Sequence, residues 1–446
     1  MVKTKQNKKS PFQFYRNLSK FRSVVYLWQS FTTDELPWKS CGHSWNTPNC
    51  SSNSTNGTIS MSPAEEFFNE YIVNVTPNGI TDFGSIQWHV LLAHMFTWFA
   101  VFLCCFKGPI SAGKVVYVTA TMPYVLLTIL LIRGLTLDGA IDGIILFLKP
   151  DFSKLAEITI WVEAAVQVIY QLGPCWGSLI TMSRYNHFHD KTYRNAIILP
   201  IANLCTAIYG GLAIFSILGY MAKKNGVDIT EVAKSGPAMA FVIYPEALAQ
   251  LPFSQFFSAT FFLVLITVGI DSQFAFLETV VSGIIDLFPQ LRRFKILTAA
   301  SIAGFLFILG IPLCTEAGVY IYQLLDWYGG TVTFVTNGFF ESIAISYIYG
   351  LKRFRYDAYL MFGSPPNILV TICWFTATPI VTALMTFIGL SNWKVPIYDY
   401  TNYSYPQWAI VLGWLVGITS FLPTPIMFCF VIIRAKGNLW QVRFIL

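Results

Sequence analysis

The sequence predicts an all-α polytopic membrane protein, and three observations predict it. Of 446 residues, 54% are hydrophobic and only 12% charged, against roughly 25% charged in soluble domains, and the mean hydropathy is +0.55. Nine apolar runs approach the ~20 residues that a bilayer crossing demands. Lys and Arg recur in alternate connections, as they do when one set of loops faces the cytoplasm. The formal net charge of +6 belongs with those loops. No basic run is interleaved with the apolar segments in the manner of a nucleic-acid surface, so no nucleic-acid partner is expected and membrane lipid is.

Residues 1–22, MVKTKQNKKSPFQFYRNLSKFR, form a basic tail without the apolar stretch of a signal peptide. The run 24–31, VVYLWQSF, is apolar but too short to cross. Residues 32–87 are a polar loop with glycosylation sequons at Asn49, Asn53, Asn56 and Asn74. Cys41 and Cys50 lie in the same loop and could close a short disulfide, whereas most of the nine cysteines sit in apolar runs as small hydrophobes. The nine spans are 88–106, 114–133, 161–183, 196–220, 254–277, 296–313, 331–350, 367–389 and 407–433, and 434–446 is a short tail. One set of connections carries Lys107 and Lys114; Arg184, Lys191 and Arg194; Arg292, Arg293 and Lys295; Lys352, Arg353 and Arg355; then Arg434, Lys436 and Arg443. That set is placed in the cytoplasm, which puts 32–87 and a further sequon at Asn402 outside. Asn17 matches the pattern on the basic tail by chance.

Three features inside the spans carry chemistry. Asp271 lies within LVLITVGIDSQFAFLETV. A carboxylate at that depth costs roughly 2.5–3.5 kcal/mol on insertion scales, so it marks a functional site by default. Ser272 adds an adjacent hard oxygen, and a cation role is expected, since sodium prefers carboxylate, hydroxyl and carbonyl oxygens. Glu341, in NGFFESIAIS, lines a pathway or joins a structural ion pair. Glu163 and Glu278 read as structural. The third feature is QLGPCWGSLITMSRYN, where Gly173-Pro174 interrupts a span. Glycine weakens a helix and proline removes a donor, and broken backbone survives in lipid only when buried in protein or lining a wet cavity. Gln167 and Gln171 share a face just before the break, Trp176 follows it, and Asn203 of the next span is placed to meet that face. Such a discontinuous helix is the binding element of secondary transporters. No nucleophile with a base, phosphate loop or metal cluster appears, so an enzyme is not expected.

The chain resembles the neurotransmitter:sodium symporters, solute carrier family 6, over about residue 24 to the end. The residues that carry the resemblance are SFTTDELPW followed by Cys41 and Cys50, GKVVYVTATMPYVLLTILLIRGLTL, QLGPCWGSLITMSRYN, IFSILGYMA, GPAMAFVIYPEALAQLP and VGIDSQF. They stand in family order and spacing. HSWNTPNC, WGSLITM and Trp176 are most similar to the glycine and neutral amino-acid branch, where a bulky indole favours a small substrate.

The resemblance implies a leucine-transporter-like fold and a plasma-membrane, multi-pass symporter of a small neutral amino acid such as glycine. Na+ is the implied driving ion and Cl- an optional second one. It implies sodium sites at Val268, Asp271 and Ser272 and at Gln171 and Asn203, and a chloride site at Gln167, Gln171 and Asn203. Substrate positions fall on Tyr170, Gly173, Trp176 and Ser272, the acidic gate on Glu341, and the loop disulfide on Cys41–Cys50. Three departures stand out. The family has Ser where this chain has Gln171, and usually Ser where it has Ala207. The family's first two helices and most of its third have no counterpart, so 23–31 reads as a remnant of that third helix, 32–87 as the glycosylated extracellular loop and 88–433 as a nine-helix transporter domain. The alternative expectation is therefore a transport-inactive truncated member or incomplete gene model that at most associates with a full-length carrier. A homo-oligomer is the other partner considered.

Overall fold

The computed structural model describes residues 15–33, 35–51, 61–106, 108–190, 192–226, 228–229, 239–391, 393–398, 403–422 and 425–426. Residues 1–14 of the basic tail, Asn53, Asn56, Lys107, Lys191, Asn402, the end of the last span and the tail 434–446 lie outside them. Among the described residues the regular structure is helical apart from one short hairpin, in which β1 (Ile397–Tyr398) pairs antiparallel with β2 (Tyr403–Ser404), and two isolated bridges. That composition follows from lipid as the solvent, because a helix satisfies its backbone polar groups within one segment.

The helices in order are α1 (Tyr15–Thr32), α2 (Pro63–Glu66), α3 (Trp88–Cys105), α4 (Pro109–Leu135), α5 (Ala140–Leu148), α6 (Ile158–Leu172), α7 (Ser178–Ser183), α8 (Thr192–Asn225) and α9 (Tyr244–Ala249). They continue as α10 (Ser254–Leu287), α11 (Lys295–Gly310), α12 (Gly318–Asp326), α13 (Thr333–Ile343), α14 (Leu351–Phe362), α15 (Ile368–Ile372), α16 (Thr378–Ser391) and α17 (Gln407–Phe421).

Among the described residues, six helical stretches are long and apolar enough to cross a membrane: Trp88–Cys105, Val115–Leu135, Thr192–Asn225, Ser254–Leu287, Pro289–Cys314 and Ile368–Ser391. The other three expected spans differ for local reasons. The run 161–183 is split at the glycine-proline pair into α6 and α7. The run 331–350 is divided by wide turns at Trp327–Val332 and Ala344–Gly350, which bracket the eleven-residue α13. The last span is described as α17 and ends there because the residues beyond fall largely outside the described set. In the opposite direction, α1 extends the short apolar run 24–31 back to Tyr15, so a segment read as eight residues forms a helix of 18.

The chain divides into two compact units, residues 1–150 with 205–322 and residues 151–204 with 323–446. In the first unit α10 packs on α1, α3, α4 and α11. Its core gathers Val101 and Cys105 of α3, Phe274, Leu277 and Val281 of α10, and Ala299 and Ala303 of α11. Tyr26 of α1 is fully buried, stacks on Phe262 at 4.5 Å and donates its hydroxyl to the Phe241 carbonyl at 2.8 Å. The loop disulfide Cys41–Cys50 forms with its Cα atoms 6.0 Å apart. Glu66, buried at the end of α2, accepts from the Asn46 side chain and from the Thr47 backbone N–H, both at 3.0 Å, and so fastens that loop. On the other side of the unit, α5 meets the second half of α8 at backbone contact. A Cβ on Gly143 would lie 2.0 Å from the Phe215 carbonyl, and one on Gly219 would lie 2.4 Å from the Gly139 carbonyl. Small residues allow such an approach and nothing larger does.

In the second unit α13 packs on α16, and Tyr170, Phe334, Val335 and Met385 form its core. The β1–β2 hairpin is tied down by Gln323, which donates to the Ile397 carbonyl at 3.0 Å and accepts from the Tyr405 hydroxyl at 2.8 Å.

Candidate functional site

The candidate residues fall into two groups, one in each unit. In the first unit Val268, Asp271 and Ser272 stand three and four residues apart on α10, so they share one face. α10 is an uninterrupted helix of 34 residues, held by the apolar core on its other sides. All three residues are partly buried. The Ser272 hydroxyl approaches the Val268 carbonyl at 3.4 Å. A carbonyl, a carboxylate and a hydroxyl thus lie within one turn of α10, and all are hard oxygen donors of the kind that suit an alkali cation. The Thr119 hydroxyl of α4 donates to the Asp271 carboxylate. Sequence reasoning missed Thr119. Its only local signal is the pair of threonines in TAT, residues 119–121, inside an apolar span.

In the second unit the helix break is complete. α6 stops at Leu172, Gly173 takes φ +65°, Pro174–Trp176 make one tight turn, Gly177 takes φ +73°, and α7 begins at Ser178. Both glycines hold left-handed angles that side-chain-bearing residues rarely adopt. The Gly173 N–H still reaches the Ile169 carbonyl at 2.9 Å and the Trp176 N–H the Gly173 carbonyl at 3.3 Å, so the break is a folded turn.

Asn203 of α8 donates its side-chain amide to the Gln171 side-chain oxygen at 3.0 Å, which joins the two residues expected to meet. Gln167 lies one turn earlier on α6, where its side chain is exposed. Tyr170 is buried, with its ring 6.1 Å from Trp176 and edge-on at 80°. Phe334 of α13 completes an aromatic cluster: it stacks on Trp176 at 4.9 Å and meets Tyr170 edge-on at 5.3 Å. Phe334 was also missed, because nothing in its own neighbourhood distinguishes it from other apolar residues of that span. Four residues later, Gly338 sits directly against Cys175, within the break: a Cβ there would lie 2.5 Å from the Cys175 sulfur. Glu341 is partly buried one turn further along α13 and makes no ion pair among the described residues.

The remaining acids fit structural roles. Glu278 is buried and paired with Lys295 at 2.5 Å, whereas Glu163 is exposed. Of the loop sequons described, Asn49 is exposed, while Asn74 adopts φ +48° and donates its amide to Glu316 at 3.1 Å.

The family model described as the sodium:neurotransmitter symporter family matches residues 12–435. Among similar proteins, the sodium- and chloride-dependent glycine transporter 1 of Xenopus laevis is 40% identical over 433 residues, which cover 92% of this chain and 68% of that one. The sodium- and chloride-dependent glycine transporter 2 of Xenopus laevis is 39% identical, over 95% of this chain and 58% of that one. The creatine transporter of Torpedo marmorata is 37% identical, over 94% of this chain and 70% of that one.

Proposed function

Because the chain belongs to the sodium:neurotransmitter symporter family, we propose that it carries a small neutral amino acid, glycine first among the candidates, across the plasma membrane together with sodium. The observation that carries this reading is the setting of Asp271: a partly buried carboxylate on a long apolar helix, beside a hydroxyl and a carbonyl on the same face. A carboxylate in lipid is retained where it does something, and three hard oxygens within one turn suit sodium.

Gln171 and Asn203, which touch, supply a second set of oxygen and amide groups. In this reading they serve sodium with their oxygens and, with Gln167, an assisting chloride with their amide N–H groups. Tyr170, Gly173, Trp176 and Ser272 are the substrate positions, and Glu341 is the acidic gate. The stacking of Trp176 on Phe334, with Tyr170 edge-on, supports a small solute, because two of the rings already fill space beside the turn. The names of similar proteins support the same class, two of them being glycine transporters. Asn49, Asn53, Asn56 and Asn74 are the proposed glycan acceptors of the outer loop.

The test is uptake by the chain expressed on its own. Surface protein is quantified by biotinylation, and entry of labelled glycine, alanine and proline is compared in sodium and in choline buffer, with Asp271→Ala as the control. Sodium-dependent entry well above the control is expected. Surface-exposed protein with no entry beyond that of Asp271→Ala overturns the reading. Replacing chloride by gluconate in the same assay decides the assisting ion.

A further inference from the structure

We infer that Thr119 is a positioning residue for the sodium-binding carboxylate, holding Asp271 from outside the ion's own shell. The inference rests on the proposed sodium role of Asp271. Thr119 lies on α4 and its hydroxyl donates to Oδ1 of Asp271, 152 residues away on α10. The two helices pack along each other within the first unit, so this contact joins two main elements of that unit. Both side chains are partly buried, where a hydrogen bond to a carboxylate is less screened than in water.

An ionised carboxylate has about four lone-pair sites. A hydroxyl on one of them fixes the rotation of the group. Ligating carboxylates are commonly held in this way, and removing the outer partner typically costs about 10–100-fold in metal affinity. Val268 has no side-chain donor, and the Ser272 hydroxyl is directed to the Val268 carbonyl at 3.4 Å.

The Thr119 hydroxyl also lies 3.1 Å from the Val115 carbonyl, one turn back on its own helix. It has one proton to donate, so the bond to Asp271 and the bond to Val115 alternate. When Asp271 is replaced, Thr119 falls back on Val115 and no buried hydroxyl is orphaned. The effect of an Asp271 variant therefore reports the carboxylate, and the effect of a Thr119 variant reports its orientation.

The experiment is direct binding of 22Na+ to the purified 446-residue chain in lipid nanodiscs, without any transport step. Thr119→Val keeps the shape and removes the hydroxyl, and it is expected to weaken sodium binding on the order of tenfold. Thr119→Ser restores the hydroxyl and is expected to restore the affinity, which a purely packing role for the lost methyl would not allow. If Thr119→Val fails to give monodisperse protein, Thr119→Ala takes its place with the same expectation. Binding lowered by Asp271→Asn yet unchanged in the Thr119 variant overturns this inference and leaves the sodium role of Asp271 standing. Binding unaffected by Asp271→Asn, or absent from the unsubstituted chain, overturns both.

Discussion

A methyl group at Gly338 would meet the Cys175 sulfur at 2.5 Å, well inside van der Waals contact. These two residues share one space, and Cys175 belongs to the turn that interrupts the broken helix. Gly338→Ala is therefore expected to push on that turn. Overpacking of this kind costs about 1–3 kcal/mol, and uptake is expected to fall at unchanged surface abundance. Cys175→Ala in the same chain opens the space again and is expected to recover most of the loss, a coupling read directly in a double-mutant cycle. Independent, additive losses in the two variants would show that the contact is not felt by the site. At this scale the sequence was informative where chemistry is out of place. Asp271, the Gly173-Pro174 pair and the Gln171–Asn203 meeting all came from polar or helix-breaking residues in apolar surroundings. Thr119 and Phe334 did not, because threonine and phenylalanine are ordinary in a membrane helix and only their distant partners give them a role.

Among the elements, α5 and α8 approach at backbone contact through Gly139, Gly143 and Gly219. At Gly143 the obstacle to a side chain is the Phe215 carbonyl at 2.0 Å, and a backbone atom cannot swing aside as the end of a flexible side chain can. Gly143→Ala is expected to separate the two helices and lower the thermal midpoint of the detergent-solubilised protein, by the same overpacking cost of about 1–3 kcal/mol. An unchanged midpoint would mean that the helices do not meet at this glycine. Element boundaries were harder to read than element existence. The apolar run at 24–31 gave no sign that its helix reaches back to Tyr15, since the preceding residues are polar. The wide turns on both sides of α13 are equally silent in the sequence, because one extra residue in a turn leaves the apolar composition untouched.

Taken whole, the chain owes its fold class to composition: a charge-poor sequence in lipid has helices as its main route to satisfying every backbone group. What composition cannot give is the ion, and here linkage offers a whole-molecule readout. A cation that binds the folded state and not the unfolded one stabilises it by RT ln(1 + [L]/Kd), about 2.7 kcal/mol at a hundred times Kd. Sodium in place of choline at equal ionic strength is expected to raise the melting temperature of the purified chain, and Asp271→Ala is expected to shrink the rise, the Gln171–Asn203 set being left in place. Equal melting temperatures in the two salts would count against a sodium site anywhere in the molecule.

Gly173 and Gly177 hold left-handed angles that residues with side chains rarely adopt, so a spectroscopic reporter for this stretch is best placed at positions 174–176. The chain already carries a thiol in the middle of that window, at Cys175, partly accessible and outside any disulfide. With the exposed Cys205 and the partly accessible Cys104 and Cys373 replaced, a small maleimide or fluorinated tag has its attachment point at the interruption itself, with no foreign residue engineered into it.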